Sequence, residues 1–346
     1  MPVSVIVGGQ FGSEGKGKVA LATVRRHPRA TMAVRPGGTN SGHTAIRTDG
    51  SRIVLRQLPA AAIDGTVDAV IPAGAYVDVA LLEAELRATG LDPARLHVDP
   101  RAHVIHREHV DWESEAGLGE TIASTGSGTG AAALSRMARL APSLPPGRPA
   151  ADCARLTAFV RDTVPLMRAA LARGERVVVE GTQGFGLSPI HGDSWPKATS
   201  RDTTAAAFLS EAGLAPTDVD DVALVLRAWP IRVAGDSGPL AGETSWPEIA
   251  RLSGGPWAEG ELTSVTRRLR RVGRFDPNLV RRAIAANQPT RIVLNHLDQI
   301  DNSVHGSACL TGRAAAFVRK VEADIDHAIY EVGTGEATSV RLLEMA

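Results

Sequence analysis

Lys16 and Lys18 stand in a glycine-rich turn, Gly8-Gly9-Gln10-Phe11-Gly12-Ser13-Glu14-Gly15-Lys16-Gly17-Lys18, directly after the β-branched run 3–7. That combination suits phosphate. Glycines let main-chain N–H groups converge on a phosphate chain, ammonium groups add charge, and the following helix turns its positive end toward the anion. The chain is therefore expected to handle nucleotides. Its spacing departs from the generic P-loop, which runs glycine, four residues, Gly-Lys, then Ser or Thr. Here five residues separate Gly9 from Gly15, and Gly17 follows Lys16, so the usual magnesium-binding hydroxyl is missing. That absence argues against a P-loop kinase or a GTPase-type switch, the more distant alternative.

Three further glycine loops follow: Gly37-Gly38-Thr39-Asn40-Ser41-Gly42-His43-Thr44, Ser124-Thr125-Gly126-Ser127-Gly128-Thr129-Gly130 and Glu180-Gly181-Thr182-Gln183-Gly184. Each permits close approach of a ligand to the backbone. His43 alone would read as a solvated turn residue; four separated glycine loops instead imply a shared ligand. The segment 266–274 carries five arginines in nine residues. In a chain with 38 basic and 38 acidic residues and zero formal charge, such a run fits small carboxylates better than nucleic acid, because the planar guanidinium forms bidentate pairs with them.

The blocks QFGSEGKGK, GGTNSGHT, STGSGTG, EGTQG with HGDSWPKATS, GDSGPL, TRRLRRVGRFD, LNHLD and VGTG occur in order from residue 10 to residue 335. On these blocks the chain resembles the adenylosuccinate synthetase family, while being shorter than typical members, chiefly after Asp298. The resemblance implies a carbon–nitrogen ligase. It would join L-aspartate to C6 of a purine nucleoside monophosphate, through transfer of a γ-phosphoryl group to O6 and displacement of phosphate by the amine. Carried over residue by residue, the triphosphate would meet Gly12, Glu14, Gly15, Lys16, Gly17, Gly42, His43 and Thr44. His296, Asp298, Gly333, Thr334 and Gly335 would hold its base. The monophosphate would meet Ser13, Asn40, Thr125, Gly126, Gln183 and Thr199, with Arg139 reaching across a two-fold interface in a homodimer. Thr266, Arg268 and Arg270 would hold aspartate. Lys16 and His43 would stabilise the charge developing in the transfer. Mg2+ is the implied cofactor, with Ser13 and the Gly42 carbonyl as its protein ligands.

Two positions depart from the family pattern. Ser13 replaces an aspartate that takes the N1 proton and binds magnesium. A small neutral hydroxyl leaves room for, and accepts from, the 2-amino group of guanine. This resembles the phage-type branch of the family, which aminates dGMP toward 2-aminoadenine nucleotides, and dGMP is the expected substrate; ordinary use of IMP with GTP is the alternative, and GMP stays open. His296 replaces a lysine that packs on the donor base, so ATP or dATP is the expected donor, with GTP as the alternative.

These loops need a scaffold. Short β-branched runs at 69–72, 176–180, 222–227 and 291–295 alternate with helical stretches at 79–89 and 153–173. The alternation predicts one α/β domain over 1–346, with a mainly parallel central sheet flanked by helices and a P-loop-like N-terminal phosphate loop. The proline-rich stretch 141–149 reads as a connector. No run approaches the roughly 18 apolar residues of a membrane span, and no charged leader precedes the first strand, so a cytoplasmic location is expected, the host's if the gene is phage-borne. Neither nucleic acid nor membrane is an expected partner. Cys153 and Cys309 lack metal-ligand spacing and read as reduced and partly buried. His103, His106 and His109 span a strand-then-helix segment, so their spacing does not place them on one face as a zinc site would require. The five tryptophans are expected to pack inside or flank loops.

Overall fold

The computed structural model describes residues 2–139, 141–263 and 267–342. Nine strands form its main sheet: β1 (Val3–Gly8), β2 (Ala30–Val34), β3 (Asp68–Ile71), β4 (Leu96–Val98), β5 (Arg176–Glu180), β6 (Val219–Arg227), β7 (Arg291–Asn295), β8 (Glu331–Gly333) and β9 (Ser339–Arg341). Their order is β9-β8-β7-β6-β1-β5-β2-β3-β4. All neighbours pair in parallel except the edge pair β8 and β9.

The strand sequences explain this arrangement. Parallel strands are covered on both faces and therefore read as continuous apolar runs, and β1 is buried at every position. Val5 and Val7 enter one core, while Ile6 enters the other. Helices α1 (Lys16–Arg26) and α2 (Val79–Thr89) pack on the Ile6 side; residues 163–172, 205–212, 277–287 and 312–325 supply helices to the other. Helix α2 ends where its sequence directs: Asp78 accepts from the Leu81 N–H, and Gly90 closes the helix at φ 70°.

The chain runs outward from β1 to β2, β3 and β4. It then returns to insert β5 beside β1 and crosses to β6 on the other side. Direction thus reverses around β1, and in open α/β sheets the crevice at the carboxyl ends of such strands is where ligands bind. The glycine loops follow β1 and β5, and Asn295 closes β7 at the same edge.

Two sequence expectations fail in the fold. The helix expected over 153–173 occupies only Thr163–Ala172. Pro165 explains the difference: it fits a first helical turn but would break a helix begun ten residues earlier. The segment before it forms single turns and then lies along β4, where the Val98 N–H donates to Phe159 O at 2.9 Å and the Arg161 N–H to Val98 O at 3.0 Å. Cys153 is half-buried, but Cys309 is exposed rather than partly buried, in the turn before the last long helix. Among the described residues no helix is long and apolar enough to cross a membrane.

Candidate active site

The phosphate loop is shaped by its own carboxylate. Glu14, fully buried, accepts from the N–H groups of Gln10 (3.2 Å) and Gly12 (2.7 Å) through Oε1, and from the buried Lys16 ammonium (2.6 Å) through Oε2. Gly12 and Gly15 take φ of 90° and 93°, and Ser13 at the apex takes 59°, which only glycine adopts without steric cost. Arg227 holds that apex by donating from Nη1 to Ser13 O at 3.0 Å. Gly17 also has a steric cause: a Cβ there would lie 2.8 Å from His43 Cβ and 3.2 Å from Ala60 Cβ. The hydroxyl of an ordinary P-loop is absent because His43 occupies its space.

His43 is placed by a buried carboxylate from a distant strand. Its Nδ1 lies 2.5 Å from Glu180 Oε1, which also accepts from Arg35 Nη1 at 2.9 Å, while Glu180 Oε2 accepts from the Ala60 N–H at 2.8 Å. Burial, assisted by the Arg35 charge, pushes the His43 pKa down to about 4. Burial would raise that of Glu180, but His43 and Arg35 outweigh it and hold the carboxylate ionised. The ring is therefore neutral near pH 7, and the anion facing Nδ1 assigns the proton to that nitrogen.

The monophosphate candidates converge beside this loop. Gln183 Nε2 donates to Asn40 Oδ1 at 2.9 Å, and Asn40 Nδ2 reaches Thr199 Oγ1 at 3.5 Å. Gln183 Oε1 is buried without a partner, and the Gln183 main chain lies close against Gly12. The loop 124–130 joins them through Thr129, whose side chain fills the space that Gly38 leaves. Sequence reasoning missed what holds that loop. Glu113, buried on helix α3 (Arg107–Glu115), accepts from the N–H groups of Gly128 (3.0 Å), Gly130 (2.8 Å) and Ala131 (3.1 Å). Thr125 is half-buried and Gly126 exposed. Arg139 is exposed at the end of helix α4 (Thr129–Ala138), near Leu134 and Met137, which are 44% and 76% exposed.

On the other side, Asn295 Nδ2 donates to Glu14 O at 2.8 Å. Lys18 spans to the last glycine loop, donating to Gly335 O (2.8 Å) and Thr338 O (2.6 Å); burial lowers its pKa to about 8. His296 adopts φ 65°, and burial with the Arg227 charge holds its pKa down to about 3, so it is neutral near pH 7. Asp298 is buried, as is Thr334.

Of the aspartate candidates, Thr266 lies outside the described residues. Arg268 is exposed, and its main chain pairs with Thr263. Arg270 is half-buried, with Nε 3.4 Å from Leu262 O. Arg271, which sequence reasoning passed over, pairs with Glu243 at 2.6 Å and lines a cleft of about 580 Å³ with Trp195, Lys197 and Asp236. Arg232 fastens this cleft to the phosphate loop, donating to Ser194 Oγ (3.1 Å) and Lys197 O (3.0 Å) while its guanidinium lies 4.4 Å from the Phe11 ring centroid. Trp195, 74% exposed, stands at this cleft; Trp246 is buried.

Among the described residues no group of three or more His, Cys, Asp or Glu could hold a metal. His109 Nδ1 instead accepts from the His106 N–H at 2.9 Å, capping helix α3.

The sheet reversal and the loop of Glu14 and Lys16 define a nucleotide-binding α/β protein. An adenylosuccinate synthetase family model matches residues 5–144 and 150–311. Adenylosuccinate synthetases of Methanococcus aeolicus and Archaeoglobus fulgidus are 33% and 34% identical over 342 residues, covering 97% of this chain and 97% and 96% of theirs. The chain belongs to the adenylosuccinate synthetase family, and it is a ligase joining aspartate to a purine nucleotide. Its length is ordinary beside these archaeal relatives. The fully ligated synthetase of Plasmodium falciparum shares the fold (TM-score 0.84, 18% identity, 99% and 100% of the two chains). The succinoaminodeoxyadenylate synthetase of cyanophage S-2L, bound to dGMP and dATP, aligns with TM-score 0.80 at 28% identity over 98% and 95% of the chains.

One ion pair backs the residue that holds the Ser13 main chain. Arg227, fully buried, meets Glu261, 29% exposed, at 2.6 Å. Burial pushes the Glu261 carboxyl up, but the Arg227 charge outweighs it and holds the pKa down to about 2, from an ordinary 4.5. A depressed carboxylate contributes its stability in full above 4.5 and loses it as pH falls toward 2. Glu261→Gln should cost about 2 kcal/mol in urea unfolding at pH 7, less than a fully enclosed pair, and the deficit should shrink below pH 4.5. An equal deficit at pH 7 and pH 3 would contradict the pairing.

Proposed function

We propose that the enzyme joins L-aspartate to C6 of dGMP, with ATP as phosphoryl donor, in the synthesis of 2-aminoadenine deoxynucleotides. The carrying observation is Ser13: a short neutral side chain at the apex of the phosphate loop, with its backbone fixed by Arg227. An aspartate there would crowd the 2-amino group of guanine; a serine hydroxyl accepts from it. The likeness to a cyanophage synthetase bound to dGMP and dATP supports this reading. The ordinary archaeal synthetases among the relatives favour a second reading, IMP.

The chemistry follows from the placement of groups. Loss of the N1 proton moves charge onto O6, which attacks the γ-phosphorus and displaces the nucleoside diphosphate; the aspartate amine then adds at C6, phosphate leaves from that carbon with its oxygen, and the surplus amine proton passes to water or the departing phosphate. Glu14 is committed to Lys16 and two N–H groups, so the N1 proton leaves to water or a phosphate oxygen. Lys16 and the N-terminus of helix α1 hold the transferring group. Anionic nucleotides raise the His43 pKa from its low starting value, and Glu180 stabilises the imidazolium that donates toward O6. Asn40, Gln183, Thr199, Thr125 and Gly126 take the monophosphate. Exposed Arg139, beside the apolar Leu134 and Met137, supports a homodimer in which it serves the partner's site. Gly42 and Thr44 flank His43 at the triphosphate. Arg268, Arg270 and Thr266 take aspartate.

The oxygen donors present, the Ser13 hydroxyl and the Gly42 carbonyl, are few and hard, which fits Mg2+ completing its shell with phosphate oxygens and water. When bound it neutralises charge on the donor phosphates. Motifs from both halves of the chain supply one site, in keeping with a single domain.

In a product assay across IMP, GMP and dGMP, dGMP should support turnover and IMP poorly, and Ser13→Asp should shift preference toward IMP; equal use by both proteins would remove the role given to position 13. Arg268→Ala should raise the aspartate KM about 30-fold or more, consistent with about 2–5 kcal/mol for a desolvated charge pair, with nucleotide KM values little changed. Loss of nucleotide affinity instead would reassign the arginine segment. Glu180→Gln should lower kcat on the order of 100-fold with KM values within a few-fold, and an unaltered kcat would release His43 from the transfer step.

A further inference from the structure

Asp298, just beyond β7, has two unequal oxygens. Oδ2 accepts from His305 Nδ1 at 2.9 Å, whereas Oδ1 is buried with no hydrogen-bond partner. A buried acceptor without a donor is unfavourable unless something else supplies the hydrogen. The surroundings are fixed rather than loose. The Gly306 N–H donates to Thr334 O at 3.0 Å, Thr334 Oγ1 donates to Ser307 O at 2.7 Å, and Lys18 holds Gly335 O. His305 itself is 56% exposed, standing where these two loops meet.

Purine edges differ in what they ask of a carboxylate. Guanine offers two adjacent donors, N1–H and the 2-amino group, and fills both oxygens. Adenine offers one donor, the 6-amino group, next to an acceptor at N1. A site that leaves a ligand donor unpaired rejects that ligand strongly. We propose that His305 sets the choice of donor base: by holding Oδ2 it leaves Oδ1 as the unpartnered oxygen of Asp298, which matches the single amino donor of adenine, whereas the second donor of guanine must share Oδ2 with His305. The assignment rests on the reaction proposed above, in which the loops after β7 and β8 receive the base of the triphosphate. His305 acts through Asp298 and is a specificity-determining, positioning residue.

Equilibrium titration calorimetry with ATP and with GTP, in Mg2+ and without monophosphate or aspartate, tests this on the wild-type chain, His305→Ala and His305→Gln. Wild type should bind ATP about tenfold more tightly than GTP. His305→Ala should gain GTP affinity by about tenfold and change ATP affinity less than about threefold. His305→Gln, which keeps an N–H for Oδ2, should retain the wild-type preference. An unchanged ratio in His305→Ala, or a wild type that prefers GTP, overturns the role of His305 and leaves the ligase reading intact. Failure of wild type to bind either nucleotide overturns both.

Discussion

The Glu14 carboxylate, closed on the Lys16 ammonium and on two main-chain N–H groups, is the interaction on which the site depends. A loop this rich in glycine is entropically expensive to order, and the bound phosphate that would organise it is present only part of the time. An internal anion does that work continuously. The same device recurs around the site: Glu113 gathers three N–H groups of the loop 124–130, and Glu85 gathers those of Arg56, Gln57 and Leu58. Each carboxylate is buried and hydrogen-bonded, the condition under which a buried charge is tolerated.

The second constraint is the sheet. Because β1 lies between β5 and β6, the loops after these strands emerge side by side, although they are far apart in sequence. Gly8, Glu180 and Arg227 end three adjacent strands. One residue builds the phosphate loop, the next orients His43, and the third pins the apex at Ser13. The geometry of the candidate site is set by strand order, with loops adding only short reaches.

Residues whose chemistry depends on local backbone freedom were legible in the sequence. The phosphate loop, His43, Asn40 and Gln183 announce themselves through neighbouring glycines, and the strands β5 and β7 through uninterrupted apolar runs. Their partners were not legible, because nothing near Glu113 or Arg35 marks a contact that forms only after the sheet assembles; Glu180 was visible as part of a glycine block, but its hold on His43 was not. The helix expected from residue 153 shows the opposite error: a helical pattern was credited across Pro165, whose ring forbids it. Arg271 was hidden among four similar arginines, and only the fold shows which of them lines the cleft.

Lys18 and Arg26 both lie on the helix that follows β1, yet their partners are Gly335, Thr338 and Glu331, at the far end of the described chain. β1 itself pairs with strands made much later. Contacts of such long sequence separation slow folding. During synthesis on the ribosome, β1 therefore waits for residues 176–227 before its neighbours exist, and Lys18 and Arg26 wait for residues 331–338. The ties between this helix and the loop after β8 are thus the last of these contacts that the growing chain can make.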